Sequence, residues 1–169
     1  MSQSFRKLTE NDVPEVQALR LEALEKYPDA YLTTKEDQLK LTEDEHRERF
    51  RNHNNVQFLT GAFIEGKLVG MMGVMGETRE KIKHKATLVA VYVGDQYHGK
   101  GIAKKLLVYT LDQAKESGEI EQLQLAVAIE NEPAVRLYKN AGFEIYGTEK
   151  NALKSGDRYI DEYLMVRFL

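Results

Sequence analysis

Apolar positions along this chain change period several times, and each change marks an element. Residues 4–8 read as a short strand. Thr9 with Asp12 three residues on, and Pro14 in the first turn, mark a helix start. Val13, Val16, Leu19 and Leu24 keep helical spacing from there to about Lys26. The stretch YPDAYLTTKEDQ, 27–38, has no period and reads as irregular. Thr42 followed by Glu45 opens a second, more polar helix that runs to about Asn52. Two apolar runs, 56–64 and 67–75, meet at Glu65-Gly66 and read as a hairpin. ATLVAVYVG, 86–94, is apolar without a break, as in a strand buried on both faces.

Helical period returns with Ile102, Ala103, Leu106, Leu107, Thr110, Leu111 and Ala114, and Gly118 is a stop. EQLQLAVA, 121–128, is a strand. Asn131 is a helix cap with Pro133 in the turn behind it. Ala134, Leu137, Tyr138 and Ala141 form that helix's buried face, and Gly142 ends it. Phe143–Thr148 is a strand, EKNALKSGDR (149–158) a loop, and 159–168 the closing strand. The order βαα, βββ, αβαββ predicts a mixed sheet flanked by helices, in one continuous domain. Strand 86–94, the helix after it and strand 121–128 form a crossover unit whose hand is expected to be right.

Composition narrows the function. The 169 residues suffice for one core, and 42% hydrophobic with 30% charged is ordinary for a soluble protein. A net charge of −3 lacks the basic footprint of a nucleic-acid binder. No apolar run is long enough for a membrane span, and MSQSFRKLTE has no apolar leader core, so cytoplasmic residence is expected. With no cysteine, disulfides, thiolate metal sites and thiol nucleophiles are excluded. His46, His53, His84 and His98 lack helical zinc spacing, so no metal is expected.

The chemistry centres on QYHGKGIA, residues 96–103. A helix start carries unpartnered N–H groups and partial positive charge, and glycines let the backbone approach an anion closely. Gly99 and Gly101 lie between a buried strand and a strong helix, so they read as a phosphate cradle. Lys100, Lys104 and Lys105 add positive charge. A Walker string GxxxxGK[ST] is absent, and the third glycine of a dinucleotide fingerprint is replaced by Lys104.

Q-x-x-G-x-G-I-A after an apolar strand resembles motif A of the GNAT N-acetyltransferases. N131-E-P-A-V-R-L-Y138-K-N-A-G142-F143 is similar to the same family's N-x-x-A-x-x-L-Y-x-x-x-G-F signature. The two occur in order, 35 residues apart from Gln96 to Asn131, and the element order matches over nearly the whole chain. The resemblance implies an α/β (α+β) fold: a mixed, mostly antiparallel sheet of about seven strands, with two splayed parallel strands holding acetyl-CoA. Those are 86–94 and 121–128. Val91 and Val93, with Tyr92 between them, are then expected to meet the pantetheine. Gln96, Tyr97, His98, Gly99, Lys100, Gly101, Ile102 and Ala103 are expected to hold the pyrophosphate, and Asn131 the pantetheine arm.

The resemblance also implies direct transfer from thioester to amine, with Tyr138 as the acid for the leaving thiolate and a backbone N–H of the splayed strand for the oxyanion. By helical spacing alone Tyr138 is a core aromatic; its motif context makes it the acid. KATLVAVYV carries no carboxylate, so the base stays open among His84, Glu77, Glu130, Asp161, Glu162 and a water relay. The family's acceptor groove corresponds to 27–38 and 149–158, where Tyr27, Tyr31, Asp37, Asp157, Tyr159 and Asp161 fall. Their carboxylates suit a cationic amine. Three readings follow: acetylation of a small amine, which leads; acetylation of a protein N-terminus or lysine; and a non-catalytic acetyl-CoA sensor. A homodimer is compatible with the family, and no residue requires it.

Overall fold

In a computed structural model, which describes residues 2–169, the chain forms one seven-stranded sheet in the order β1-β2-β3-β4-β5-β7-β6. The strands are β1 (Gln3–Lys7), β2 (Gln57–Ile64), β3 (Lys67–Gly76), β4 (Lys85–Val93), β5 (Gln122–Ala128), β6 (Glu144–Ser155) and β7 (Arg158–Phe168). The helices are α1 (Val13–Lys26), α2 (Lys35–Leu39), α3 (Glu43–Arg51), α4 (Ile102–Glu116) and α5 (Glu132–Asn140). Every neighbouring pair is antiparallel except β4 and β5. The expected mixed sheet is therefore present, with its one parallel pair in the crossover unit.

Two apolar clusters sandwich the sheet. Leu106, Leu107, Leu111 and Ala114 of α4, with Val135 and Tyr138 of α5, pack on Met72, Leu88, Leu123, Leu125 and Met165. On the opposite face Val16, Leu19 and Ala23 of α1 pack on Phe63, Leu68, Met71 and Tyr92. The N-terminal end of α1 is tied down by charge. Arg6 donates two hydrogen bonds of 2.8 Å to the Asp12 carboxylate, which also accepts from the Thr9 N–H. α3 starts at the expected capping box: Glu45 N–H donates to the Thr42 hydroxyl, and its carboxylate accepts from the Thr42 N–H. Glu65 and Gly66 both have positive φ, which the tight β2–β3 hairpin requires.

Two stretches differ from the sequence reading. Part of 27–38, read as irregular, holds the single-turn-scale helix α2, which Thr34 caps by accepting from the Asp37 N–H. Its residues are all exposed or half-buried, so no apolar period betrays it. The expected loop 149–158 is strand: β6 and β7 pair almost to their shared turn at Gly156. Asn151 at positive φ interrupts the ladder, and its N–H donates to the Asp161 carboxylate. That bulge breaks the alternation by which a strand is recognised.

Candidate active site

β4 and β5 pair only over Lys85–Thr87 and Gln122–Gln124. Beyond Thr87 and Gln124 the strands separate, because β4 changes course. Ala90 has φ of 55°, and two β4 residues, Ala90 and Val91, stand opposite the single Met72 of β3. A bulge bends a strand and leaves backbone groups unpaired. Here it opens a cleft between the C-terminal halves of two parallel strands.

The mouth of the cleft is the predicted glycine loop. Gly99 and Gly101 have φ of 76° and 75°, and a Cβ built on either meets nothing within 4 Å. Their requirement is conformational: both sit in the left-handed region, which turns the loop so that the first N–H groups of α4 face outward. Lys105 N–H bonds the Gly101 carbonyl and begins the regular helix. Ile102 is buried beneath the loop, Ala103 is half-buried, and Gln96, Lys100 and Gly101 are exposed. The Lys100 ammonium lies 5.8 Å from the Tyr97 ring centre. His98 Nε2 is 2.7 Å from the Val93 carbonyl, so this histidine closes the loop onto the strand end.

Of the three predicted strand residues, Val93 is in the core under α4, Val91 packs at its margin, and Tyr92 points the other way. The Tyr92 hydroxyl donates to Glu22 of α1 at 2.7 Å. Asn131 caps α5 at the end of β5, accepting from Ala134 N–H at 3.4 Å. Tyr138 is buried and meets Phe143 edge-on at 5.8 Å. Its hydroxyl makes no hydrogen bond among the described residues. Burial pushes its proton affinity up, and nearby Tyr31 adds to the effect. Tyr31 donates its own hydroxyl to the Val91 carbonyl at 2.7 Å, and burial pushes it up to about 12, with Arg20 opposing. Tyr31 lies in a segment without period, so spacing gave it no more weight than its neighbours.

Of the carboxylates named from sequence as base candidates or as lures for a cation, Glu130, Asp161 and Asp37 are occupied. Arg158 bonds Asp29 at 2.6 Å and Glu130, strapping the α1–α2 segment to the β5–α5 turn. Asp161 holds the Asn151 N–H and Lys150, which lower its proton affinity. Asp37 is paired with Lys40 at 3.0 Å. Glu77 is exposed beyond β3, and His84 precedes β4, at the end where the strands are joined. Glu162 differs. It stands opposite Ala128 at the open end of β5, half-buried, and neither hydrogen bond nor ion pair engages it among the described residues. It alternates with Tyr163 and Met165, which pack under α4 and α5, so its side chain is on the α1 face. Burial raises its carboxyl above the ordinary range, and Glu149 directly across on β6 adds to this.

On that same face lies a cavity of about 790 Å³ between α1, α2, α3 and the strands β2–β4. It reaches Val89 and Ala90 at the bulge.

The sequence model described as the acetyltransferase (GNAT) family matches residues 16–143. The chain belongs to this family. It is an N-acetyltransferase by fold and by relatives. It is 30% identical over 122 residues to the L-amino acid N-acetyltransferase AaaT of Escherichia coli, covering 72% of this chain and 74% of that one. It is 32% identical over 90 residues to a spermine/spermidine N(1)-acetyltransferase of Bacillus subtilis, covering 52% of this chain and 59% of that one. A GNAT acetyltransferase from Streptococcus pneumoniae superimposes with a TM-score of 0.90 at 27% identity, covering 99% and 100% of the two chains. The fold is also that of yncA from Salmonella typhimurium, solved with its cofactor acetyl-CoA: TM-score 0.86, 17% identity, 100% and 95% covered. No helix among the described residues is long and apolar enough to cross a membrane.

Proposed function

We propose that this GNAT protein transfers an acetyl group from acetyl-CoA directly to the primary amine of a small molecule. The observation that carries the reading is the cleft: parallel strands parted by a bulge, with two left-handed glycines at its mouth and a buried tyrosine hydroxyl free of protein partners. Acetyl-CoA, when bound, supplies the thioester acyl group. The outward N–H groups of Gly99–Ala103 suit its pyrophosphate, as the N-terminus of a helix suits any phosphate. The unpaired β4 edge beyond Thr87 suits a pantetheine amide as it would suit a peptide strand.

Tyr138 keeps its proton at neutral pH because burial opposes the phenolate, so its Oη serves as the acid. Tyr31 holds the Val91 carbonyl and fixes the bulged strand beside it. Glu162 is the base in this reading. Its raised proton affinity brings a carboxylate closer to working pH, where it takes a proton from the acceptor most effectively. The Arg158 strap between Asp29 and Glu130, which ties the segment after α1 to the β5–α5 turn, supports a small acceptor over an extended peptide.

The test is thiol release from acetyl-CoA with a panel of amines, alongside calorimetric binding of acetyl-CoA. Tyr138→Phe is expected to lower turnover at least tenfold, within the ~10²–10⁴ range of general acid–base catalysis, while acetyl-CoA affinity is kept. Unchanged turnover removes Tyr138 from the mechanism. Binding without release on any amine returns the chain to the sensor reading.

A further inference from the structure

The cavity on the α1 face contains a cation with no hydrogen-bond or ion-pair partner among the described residues. Arg20, on the inner side of α1, lines it, and no guanidinium nitrogen of Arg20 is hydrogen-bonded among the described residues. Its Nη1 is buried with neither solvent nor a protein acceptor. The guanidinium lies 5.8 Å from the centre of the Tyr31 ring, and Tyr31 in turn holds the carbonyl of Val91, beside the bulge. A buried charge without a counter-charge is costly, so such a group is ordinarily paired. Two imidazole nitrogens that line the same cavity, His46 Nε2 and His53 Nδ1, are buried without a hydrogen-bond partner among the described residues. The remaining charged groups on the wall are Arg49 and Asp37, and Lys40 already holds Asp37. The charged side chains of the wall are therefore cationic in balance, Arg20 and Arg49 against Asp37. Its floor, by contrast, is apolar: Leu59 and Met71.

We propose that this cavity takes the acceptor as an α-amino acid with an apolar side chain, its carboxylate paired with the Arg20 guanidinium and its amine turned to the bulge at Ala90. This rests on the acetyl-transfer reading above and narrows its substrate. A guanidinium presents parallel donors that match a carboxylate, and the unpartnered imidazole nitrogens of His46 and His53 line the same cavity. A polyamine would bring more positive charge to a wall already in cationic excess.

The experiment compares leucine with isoamylamine, and phenylalanine with phenethylamine, pairs that differ only in the carboxylate. For the wild-type enzyme, kcat/KM is expected to favour each amino acid by at least about 30-fold, the scale of losing one partner of a desolvated charge pair. Arg20→Met is expected to shrink that ratio to within about threefold. Equal or better use of the decarboxylated amines, or faster acetylation of spermidine than of leucine, overturns the proposal without touching the acetyl-transfer reading. A second readout is independent of acetyl-CoA. Leucine titrated into the cofactor-free protein is expected to shift the His46 and His53 ring resonances, and isoamylamine is not. Equal shifts, or none with leucine, overturn the proposal, whereas failure of acetyl-CoA itself to bind overturns the parent reading instead.

Discussion

The two sides of the β4–β5 cleft are built from different materials. The loop side, Gln96–Ala103 leading into α4, is a contiguous run, and in the proposed reading its functional atoms are backbone N–H groups. Its chemistry depends on conformation, and conformation is written in glycines at fixed spacing, Gly99 and Gly101. In the proposed reading the α1 side is assembled from side chains far apart in sequence: Arg20 of α1, His46 of α3 and His53 just beyond it line the cavity, Tyr31 stacks against Arg20, and Glu162 comes from β7. A site made of backbone leaves a short signature. A site made of dispersed side chains leaves none until the chain is folded.

The sharpest way to break this contrast is to remove the base from the acceptor side. Glu162→Gln keeps the shape and loses the proton acceptor. We expect kcat/KM to fall by roughly 10²-fold at neutral pH, the lower end of general base catalysis. The pH profile carries the sign. A base acts deprotonated, so wild-type activity falls as pH drops through the Glu162 pKa, which burial and Glu149 raise above the ordinary glutamate value. In Glu162→Gln that acidic limb disappears, whereas Glu149→Gln, which removes the facing charge, moves it to lower pH. A wild-type limb that persists unaltered in Glu162→Gln assigns the base elsewhere.

Next in size is an insult to the loop. Gly101 caps α4 in the left-handed region, where a β-branched residue is strained even though its side chain would meet open space. Gly101→Val is expected to weaken acetyl-CoA binding at least about tenfold by calorimetry, since strain of ~1–3 kcal/mol is relieved only by moving the N–H groups. If the cofactor side is backbone-made, Lys100→Ala costs less than Gly101→Val. The reverse order would make the loop a charge site, with its glycines secondary.

The same distinction explains what was legible in the sequence. Period, turn residues and caps placed all seven strands and the helices α1, α3, α4 and α5, most of which bury a face. α2 escaped since Lys35–Leu39 buries nothing. The outer half of β6 escaped because Asn151 breaks its ladder and its residues are mostly exposed. The bulge at Ala90, which opens the cleft, lies unannounced within KATLVAVYV: an alanine at positive φ has no sequence mark, and an unbroken apolar run has no alternation to interrupt. The carboxylates that suggested a cationic acceptor were visible, but their partners were not. Lys150 pairs with Asp161 and Lys40 with Asp37, contacts that only the fold reveals. Arg20 had the opposite fate: a charged residue between apolar neighbours on α1 reads as a solvated position until the cavity behind it is seen.

The smallest expected effect separates support from chemistry on the α1 side. Asp12 touches neither the cleft nor the cavity; it anchors the start of α1 through Arg6 and Thr9. If the cavity wall depends on α1 as a rigid body, Asp12→Asn should cost stability without changing acceptor preference. Its carboxyl is held below the ordinary range, first by the Arg6 hydrogen bonds and further by the Thr9 N–H, with burial opposing. A carboxylate whose folded pKa is depressed stabilises the native state above its unfolded pKa, and this is lost as pH falls through the folded value. Arg6 is half-exposed, so screening limits the pair to about 1 kcal/mol, or roughly 2–4 °C in Tm for a chain of this size. The Tm gap between wild type and Asp12→Asn should therefore be full at pH 7 and narrow progressively below about pH 4, where the wild-type carboxyl also takes up its proton. A gap that stays constant with pH would mean that Asp12 acts through hydrogen-bond geometry alone. A change in the leucine-to-isoamylamine ratio in this variant would mean that the α1 wall moves when its anchor is cut, and that acceptor choice is set by the position of the helix as well as by Arg20.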